Sequence, residues 1–323
     1  MGLECSCDYL EFTVPSDRRG DLLSTIPGGL VPVDRGWRGY THSAVLAGGK
    51  GRVGWSPERP EMGCHVSLGS QALDVLGALD VAWNDRPGVV GLVQDDLGGH
   101  VTRFDAAFDD LDGVLSMDTV GAALHAGEFT SRWKGGRAVE GFGGFAGSGR
   151  TFYLGSARSD AMLLIYDKSA ERAARGVEFG GDHWIRVELR LRRERANAAA
   201  AVFKSVKENA RAAMAHLAGV VRGYIEFKTP DASDSNKRRW APAAWWVEFL
   251  GHVEKARLTV SESKLQTAEG LRAWVSGQVA PSLALLVEVM GFDAAWAFLY
   301  AESVEGRERW NARHRAIIAA SGV

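Results

Sequence analysis

Cysteine is scarce in this chain of 323 residues, with only Cys5, Cys7 and Cys64 present. An odd, sparse set makes no disulfide framework, so a reducing, cytoplasmic compartment is expected. Cys5-Ser6-Cys7 lacks the two-residue spacer of zinc and redox motifs, and no second pair completes a site. Long apolar runs are missing as well. The most apolar late stretch, 279–292, contains Pro281 and Glu288 and is too short to span a bilayer. Acidic Glu4 and Asp8 stand where a signal peptide would be basic, so neither export nor membrane insertion is expected. The eight histidines form no His-x-His or His-Glu-x-x-His cluster, which disfavours a histidine-ligated zinc hydrolase or a paired-histidine nickase. Gly48-Gly49-Lys50-Gly51 lacks the upstream glycine and the Ser/Thr of a phosphate-binding P-loop, and no Gly-x-Ser-x-Gly elbow exists. Net charge is close to nil at −2, and by itself it points to no polyanionic partner.

Glycine, by contrast, is abundant at 39 residues with no collagen-like period, which suggests many tight turns joining strands. Residues 8–14 are β-rich and end at Pro15, a first strand, and 36–69 reads as a meander. Helical spacing of Leu73, Val75, Leu76, Leu79 and Val81 predicts a helix over 71–83. Strands are expected at 101–109, 131–142, 150–156, 161–167 and 184–192, with a short helix at 118–126. The glycine-rich piece 141–149 could cradle phosphate, but no helix visibly follows it and a hairpin tip is the favoured reading. A long Ala-rich helix is expected over 194–218, a polar linker over 229–239, and helices near 242–257, 267–276, 280–291 and 293–318. The fold class that follows is α+β: a largely antiparallel sheet core with packing helices and a helical C-terminal extension. The expected division is a sheet-based domain over 1–228 and a helical region over 229–323, the latter a cap or a binding element.

Period-2 alternation sorts three strands into a dry and a charged face. Thr102, Phe104, Ala106 and Phe108 oppose Arg103, Asp105, Ala107 and Asp109. Leu163, Ile165 and Asp167 oppose Leu164, Tyr166 and Lys168. Ile185, Val187, Leu189 and Leu191 oppose Arg186, Glu188, Arg190 and Arg192. If the strands share a sheet, one face gathers Asp105, Glu188, Tyr166, Lys168, Arg103 and Arg186. Two or three carboxylates suit Mg²⁺ or Mn²⁺, and a tyrosine beside cations can attack a phosphodiester covalently. Solvated charges on any antiparallel sheet give the same pattern, so alternation alone leaves both readings open.

Charge is uneven along the chain. Residues 185–239 carry 13 Lys/Arg against 6 Asp/Glu, a local +7, whereas 1–131 sum to −10. A basic segment beside the candidate face suits a polyanionic substrate. Lys237-Arg238-Arg239-Trp240, with Trp245-Trp246 close behind, mixes cations with rings that can stack on bases. Trp246 reads first as a core residue of a helix that packs its aromatic face inward.

The run 100–110, His-Val-Thr-Arg-Phe-Asp-Ala-Ala-Phe-Asp-Asp, resembles a strand of the replication initiation factor proteins. These are rolling-circle initiators of plasmids and filamentous phages, together with related relaxases of conjugative elements. The same order continues with Thr151-Phe152-Tyr153-Leu154-Gly155-Ser156, Ile165-Tyr166-Asp167-Lys168 with Glu171, Trp184 to Arg190, and Asn236-Lys237-Arg238-Arg239 before Trp245-Trp246. Residues 8–14 are similar to the family's first strand, and the last 70 residues carry no family feature. The resemblance implies a metal-dependent DNA nicking-joining enzyme that forms a covalent 5′-phosphotyrosine and leaves a 3′-OH primer. Carried over, Tyr166 is the nucleophile, with Tyr153 next in line, and Lys168 lowers its pKa or stabilises the phosphorane. Asp105, Glu188 and Asp109 would hold Mg²⁺ or Mn²⁺, and Arg186 and Arg103 would contact phosphate. Arg190, Lys237, Arg238, Arg239 and Trp240 would grip DNA. The implied partners are origin DNA, single-stranded or hairpin, a host helicase and a second copy of the chain. The alternatives are a relaxase that starts conjugative transfer and a non-catalytic DNA-binding relative.

Overall fold

The computed structural model describes residues 5–46, 48–141, 149–174, 176–177, 180–181, 183–259, 271–272, 275–310, 314–315 and 318–319. The chain divides into two compact units, Met1–Val260 and Ser261–Val323. The first unit contains twelve strands among the described residues: β1 (Cys5–Val14), β2 (Leu30–Val33), β3 (His42–Leu46), β4 (Gly51–Trp55), β5 (Cys64–Gly69), β6 (His100–Asp110), β7 (Phe129–Ser131), β8 (Gly136–Glu140), β9 (Arg150–Leu154), β10 (Ala161–Asp167), β11 (Ile185–Arg192) and β12 (Ile225–Phe227). Ten of them form one sheet in the order β2-β3-β4-β5-β1-β6-β11-β10-β9-β8, and β12 pairs with β7 in a second. Every ladder is antiparallel. This is the α+β architecture with a large antiparallel sheet that the alternation implied.

The dry face is the one the sequence marks. Phe104, Ala106 and Phe108 of β6 and Ile185, Val187, Leu189 and Leu191 of β11 are all buried. They pack beneath the helices Arg193–Lys204 and Val206–Tyr224, and the Phe104 and Phe203 rings lie 5.2 Å apart. The Ala-rich stretch is thus two helices rather than one. Ser205 turns its hydroxyl onto the Val202 carbonyl at 2.7 Å, and Asn209 leaves helical geometry at φ −149°. Such local side-chain bonds compete with the helical ladder.

Other boundaries move for equally local reasons. The expected strand 131–142 is split between the two sheets as β7 and β8. The helix expected over 242–257 is confined to Ala244–Phe249, because Gly251 and His252 both take positive φ. The unit boundary lies at 260/261 rather than at 228/229, since Trp246, Phe249 and Leu250 are buried in the first unit's core. Trp246 packs edge-on against Phe227, 5.1 Å between centroids, which is the core reading of that residue. The glycine-rich tip falls on 142–148, outside the described residues, as does most of the helix expected at 267–276. The second unit carries the helices Ala280–Met290 and Phe292–Glu308, with Phe292, Trp296 and Tyr300 exposed on the latter. Among the described residues no helix is long and apolar enough to cross a membrane.

Candidate functional site

The registers of β1, β6, β11 and β10 set the polar residues in cross-strand rows. Tyr166 faces Arg186, which faces Asp109; Glu188 lies between Leu164 and Ala107; and Arg190 faces Asp105, which faces Tyr9. The three strands expected to share a charged face do share one, and β1 adds Tyr9 and Glu11 to it. That face is not solvated. Asp105 and Glu188 are each only 1% exposed, and Tyr166, Lys168, Arg186 and Glu11 are buried as well. Buried charges persist only when paired and hydrogen-bonded, and here they form a chain of contacts.

Tyr166 Oη donates to Glu188 Oε2 at 3.0 Å. Glu188 Oε1 accepts from Arg190 Nε at 2.5 Å, and the same nitrogen lies 3.5 Å from Asp105 Oδ2. Arg103 closes the row with Nε on Asp105 Oδ1 at 2.9 Å, and its guanidinium lies 3.8 Å from the centre of the Tyr9 ring. The network runs on through Tyr9 Oη to Ser67 Oγ at 2.9 Å, and Ser67 donates to Glu11 Oε1 at 2.9 Å. Glu11 also pairs with Arg38 at 2.7 Å. His65 finishes it, with Nδ1 at 2.9 Å from Thr13 Oγ1 and Nε2 facing Arg38.

Electrostatics follow from this burial. Desolvation, reinforced by the nearby Glu188 carboxylate and only partly offset by Arg103, pushes Asp105 up to about 7. Desolvation and then Glu188 also raise the Tyr166 phenol well above its ordinary value, while Arg186 lowers it. In the resting protein Tyr166 is therefore a neutral donor to Glu188. His65 moves the other way, to about 4, because burial disfavours its charged form.

Several expected roles change with these contacts. The Lys168 ammonium is paired with Glu171 and stands 5.5 Å from the centre of the Tyr166 ring, while Arg186 is a cation that opposes the upward shift of the phenol. Arg186 in turn is no open phosphate contact. Its Nε and Nη2 both bond Asp109 at 2.7 Å, and its Nη1 bonds Asp8. Asp109 is further held by Trp184 Nε1 at 2.6 Å, so it belongs to this clamp and not to the Asp105–Glu188 pair. Among the described residues no group of three or more His, Cys, Asp or Glu is placed to hold a metal ion. Asp105 and Glu188 are the carboxylates of this row that a hard cation would use; Arg190 Nε lies between them, so a Mg²⁺ completing its shell with water and phosphate would have to take that guanidinium's place.

The basic run lies elsewhere. Lys237, Arg238, Arg239 and Trp240 sit in the loop after β12, on the smaller sheet's side. Lys237 Nζ donates to the Gly127 carbonyl at 2.6 Å, Arg239 pairs with Asp234 at 2.6 Å, and Trp240 Nε1 donates to the Asp234 carbonyl at 2.5 Å. Sequence reasoning missed Asp8, Tyr9, Glu11, His65 and Ser67. The first three lie in a strand that was recognised, and sorting its alternation as was done for β6 would have placed Tyr9, Glu11 and Thr13 together.

Three comparisons bear on this geometry. The family model described as replication initiation factor matches residues 99–299, more than half of the chain. The chain is 31% identical over 197 residues to the putative DNA relaxase NicK of Bacillus subtilis (strain 168), an overlap of 59% of this chain and 54% of that protein. It thus spans about half the length of the curated relative it matches. The structure of a rolling circle replication initiator protein from Geobacillus stearothermophilus superposes with a TM-score of 0.67 at 26% identity, covering 81% of this chain and all of that one. The matched family region begins at the start of β6 and takes in Asp105, Tyr166 and Glu188 together, and the chain belongs to the replication initiation factor family.

Proposed function

We propose that this protein nicks and rejoins one DNA strand to start rolling-circle replication, with Tyr166 as the nucleophile. The observation that carries the reading is the bond from Tyr166 Oη to Glu188 Oε2 on a buried, fully paired polar face. The names of its relatives, a rolling circle replication initiator and a DNA relaxase, support it. Glu188 takes the phenol proton as Tyr166 Oη bonds to phosphorus; the P–O3′ bond breaks, the departing 3′-oxygen takes a proton from water to become the primer hydroxyl, and Glu188 returns the phenol proton to solvent. Without that acceptor a phenol whose proton affinity is raised by burial would stay protonated at neutral pH. Arg186 acts as a positioning residue: its fork ties Asp8 of β1 and Asp109 of β6 to β11 beside Tyr166. Arg190 and Arg103 fix the carboxylate pair. A Mg²⁺ or Mn²⁺ held by Asp105 and Glu188 would offset charge developing on the phosphodiester oxygens.

The same chemistry serves strand transfer, the reading favoured by the relaxase relative, in which the 5′-bound strand is passed on. The test uses a pool of oligonucleotides with a fixed stem, a randomised loop and a 3′ label, incubated with the protein and Mn²⁺. A labelled protein adduct that survives denaturation and is absent with Tyr166→Phe is the expected result. An adduct that persists in Tyr166→Phe would move the role to another residue, Tyr153 first. Retention of DNA with no adduct from the unaltered protein would refute nicking and leave a binding protein.

A further inference from the structure

Beside the smaller sheet lies an open cleft of about 270 Å³, lined among others by Arg132, Arg222, Tyr224, Glu226, Arg238 and Lys255. Glu226, only 1% exposed, is the one carboxylate among its lining residues. It is already answered twice, by Arg222 Nε at 2.9 Å and Lys255 Nζ at 2.7 Å. Arg132 and Arg238 add two further charges, and among the described residues neither has a carboxylate partner. Arg132 stacks over the Tyr224 ring at 5.1 Å. Arg238 is the member of the 237–239 run whose side chain is not spent on its own loop or a neighbouring carbonyl. Just beyond, buried Lys228 gives its ammonium to the Trp240 carbonyl at 2.8 Å. Burial lowers its pKa, with Glu226 acting against the shift and Lys255 and Arg222 adding to it. The C-terminal end of the helix Val206–Tyr224 offsets only about half a charge here. A solvent-open cleft with an uncompensated charge of roughly +2 to +3 favours an anion, and forked guanidiniums suit a tetrahedral oxyanion.

We propose that this cleft holds a backbone phosphate of DNA outside the nicking face, gripped by Arg132 and Arg238 over the Arg222–Glu226–Lys255 base. Its position supports the choice of DNA. Trp133, next to Arg132, stacks on Tyr224 at 5.0 Å and donates Nε1 to the Ala161 carbonyl at 2.9 Å. Ala161 begins β10, so the cleft lies by the strand end five residues from Tyr166, roughly 17 Å along it. Duplex DNA advances 3.4 Å per base along each strand, so a phosphate in the cleft stands roughly five or more steps from the nick. The proposal rests on the nicking function only for that use of the site; the cleft's affinity for phosphate does not depend on it.

The test compares the unaltered protein with R132A/R238A, two exposed positions outside the core. Binding of a labelled 24-base-pair duplex of arbitrary sequence is followed by anisotropy across a series of NaCl concentrations. Removing one phosphate contact should shrink the slope of log K against log salt by about 0.9 and weaken binding several-fold at low salt. Equal slopes and affinities for the two proteins would overturn the proposal and leave the nicking reading intact. A weaker-binding variant beside an unaltered protein that forms no adduct would support the cleft and refute nicking. If inorganic phosphate raises the melting temperature of the unaltered protein but not of the variant, while both bind duplex equally, the cleft is a free-phosphate site and the DNA assignment fails.

Discussion

Two buried groups on the polar face pull the pH dependence of stability in opposite directions, and separating them tests the electrostatics of the whole face. Asp105 holds its proton up to about 7 in the folded chain, against 3.8 for an unperturbed aspartate. Below that lower value both states are protonated; as pH rises through the window the unfolded chain loses its proton first, so folding weakens. At 1.36 kcal/mol per unit the cost approaches about 4 kcal/mol by pH 7. His65 titrates at about 4 in the folded chain against 6.5 ordinarily. Its contribution is complete above pH 6.5 and is lost as pH falls towards 4, a gain with rising pH of about 3 kcal/mol. The two nearly cancel, so urea unfolding of the unaltered protein in EDTA should give a nearly flat stability between pH 4 and 6.5. Asp105→Asn uncovers the histidine and should make stability climb with pH over that range. His65→Gln uncovers the aspartate and should make it fall. Slopes of the same sign in the two variants, or a slope left unchanged by either, would refute the account of how burial and neighbouring charge act here.

Tyr166→Phe should abolish the covalent adduct while costing only about 1 kcal/mol in urea unfolding, since one hydrogen bond is lost. Glu188→Gln should cut the rate of adduct formation by 10²–10⁴, the usual range for a general base, and the rate should recover partly as pH rises. Arg186→Ala strands Asp8 and Asp109, and a loss of about 3–5 kcal/mol by thermal or urea unfolding is expected for breaking a buried pair on one side. Trp246→Ala should cost about 3–5 kcal/mol through the cavity it leaves against Phe227 and Phe249, with any surviving adduct activity unchanged per folded molecule.

Much of this site was legible because β-strands have a period that side-chain chemistry can follow. β11 alternates without a flaw, so the dry Ile185–Leu191 set and the polar Arg186–Glu188–Arg190 set could be separated before any pairing was known. β6 gave its face in the same way, and the family motif singled out Tyr166. What alternation does not encode is which polar groups answer each other. Arg186, read as a phosphate contact, spends its fork on Asp8 and Asp109, residues 178 and 77 positions away in sequence. Asp109 shares a strand face with Asp105, yet Trp184 and Arg186 draw its carboxylate into their clamp. The Lys237–Arg239 run was visible as charge, but only loop geometry separates Arg238 from its two committed neighbours. Helix ends were missed where single residues act locally, as Asn209 and His252 do.

The central position of β1 has a consequence for how the protein comes into being. The first 69 residues can close five strands in the order β2-β3-β4-β5-β1, the first three ladders by short connections and the last by return of β5 to β1. That leaves one edge of β1 bare until β6, which begins at His100, arrives to pair with it. An unpaired edge invites association with other chains, so this interval is the vulnerable stage of synthesis. The β10–β11 pair, whose members are close in sequence, brings Tyr166 to Glu188 on its own, 22 residues apart. Asp105 joins them only when that hairpin docks on β6, a contact of long sequence separation and therefore a late one. A growing chain thus brings Tyr166 to Glu188 by a local pairing, and the β6–β11 ladder is what adds Asp105 and completes the polar face.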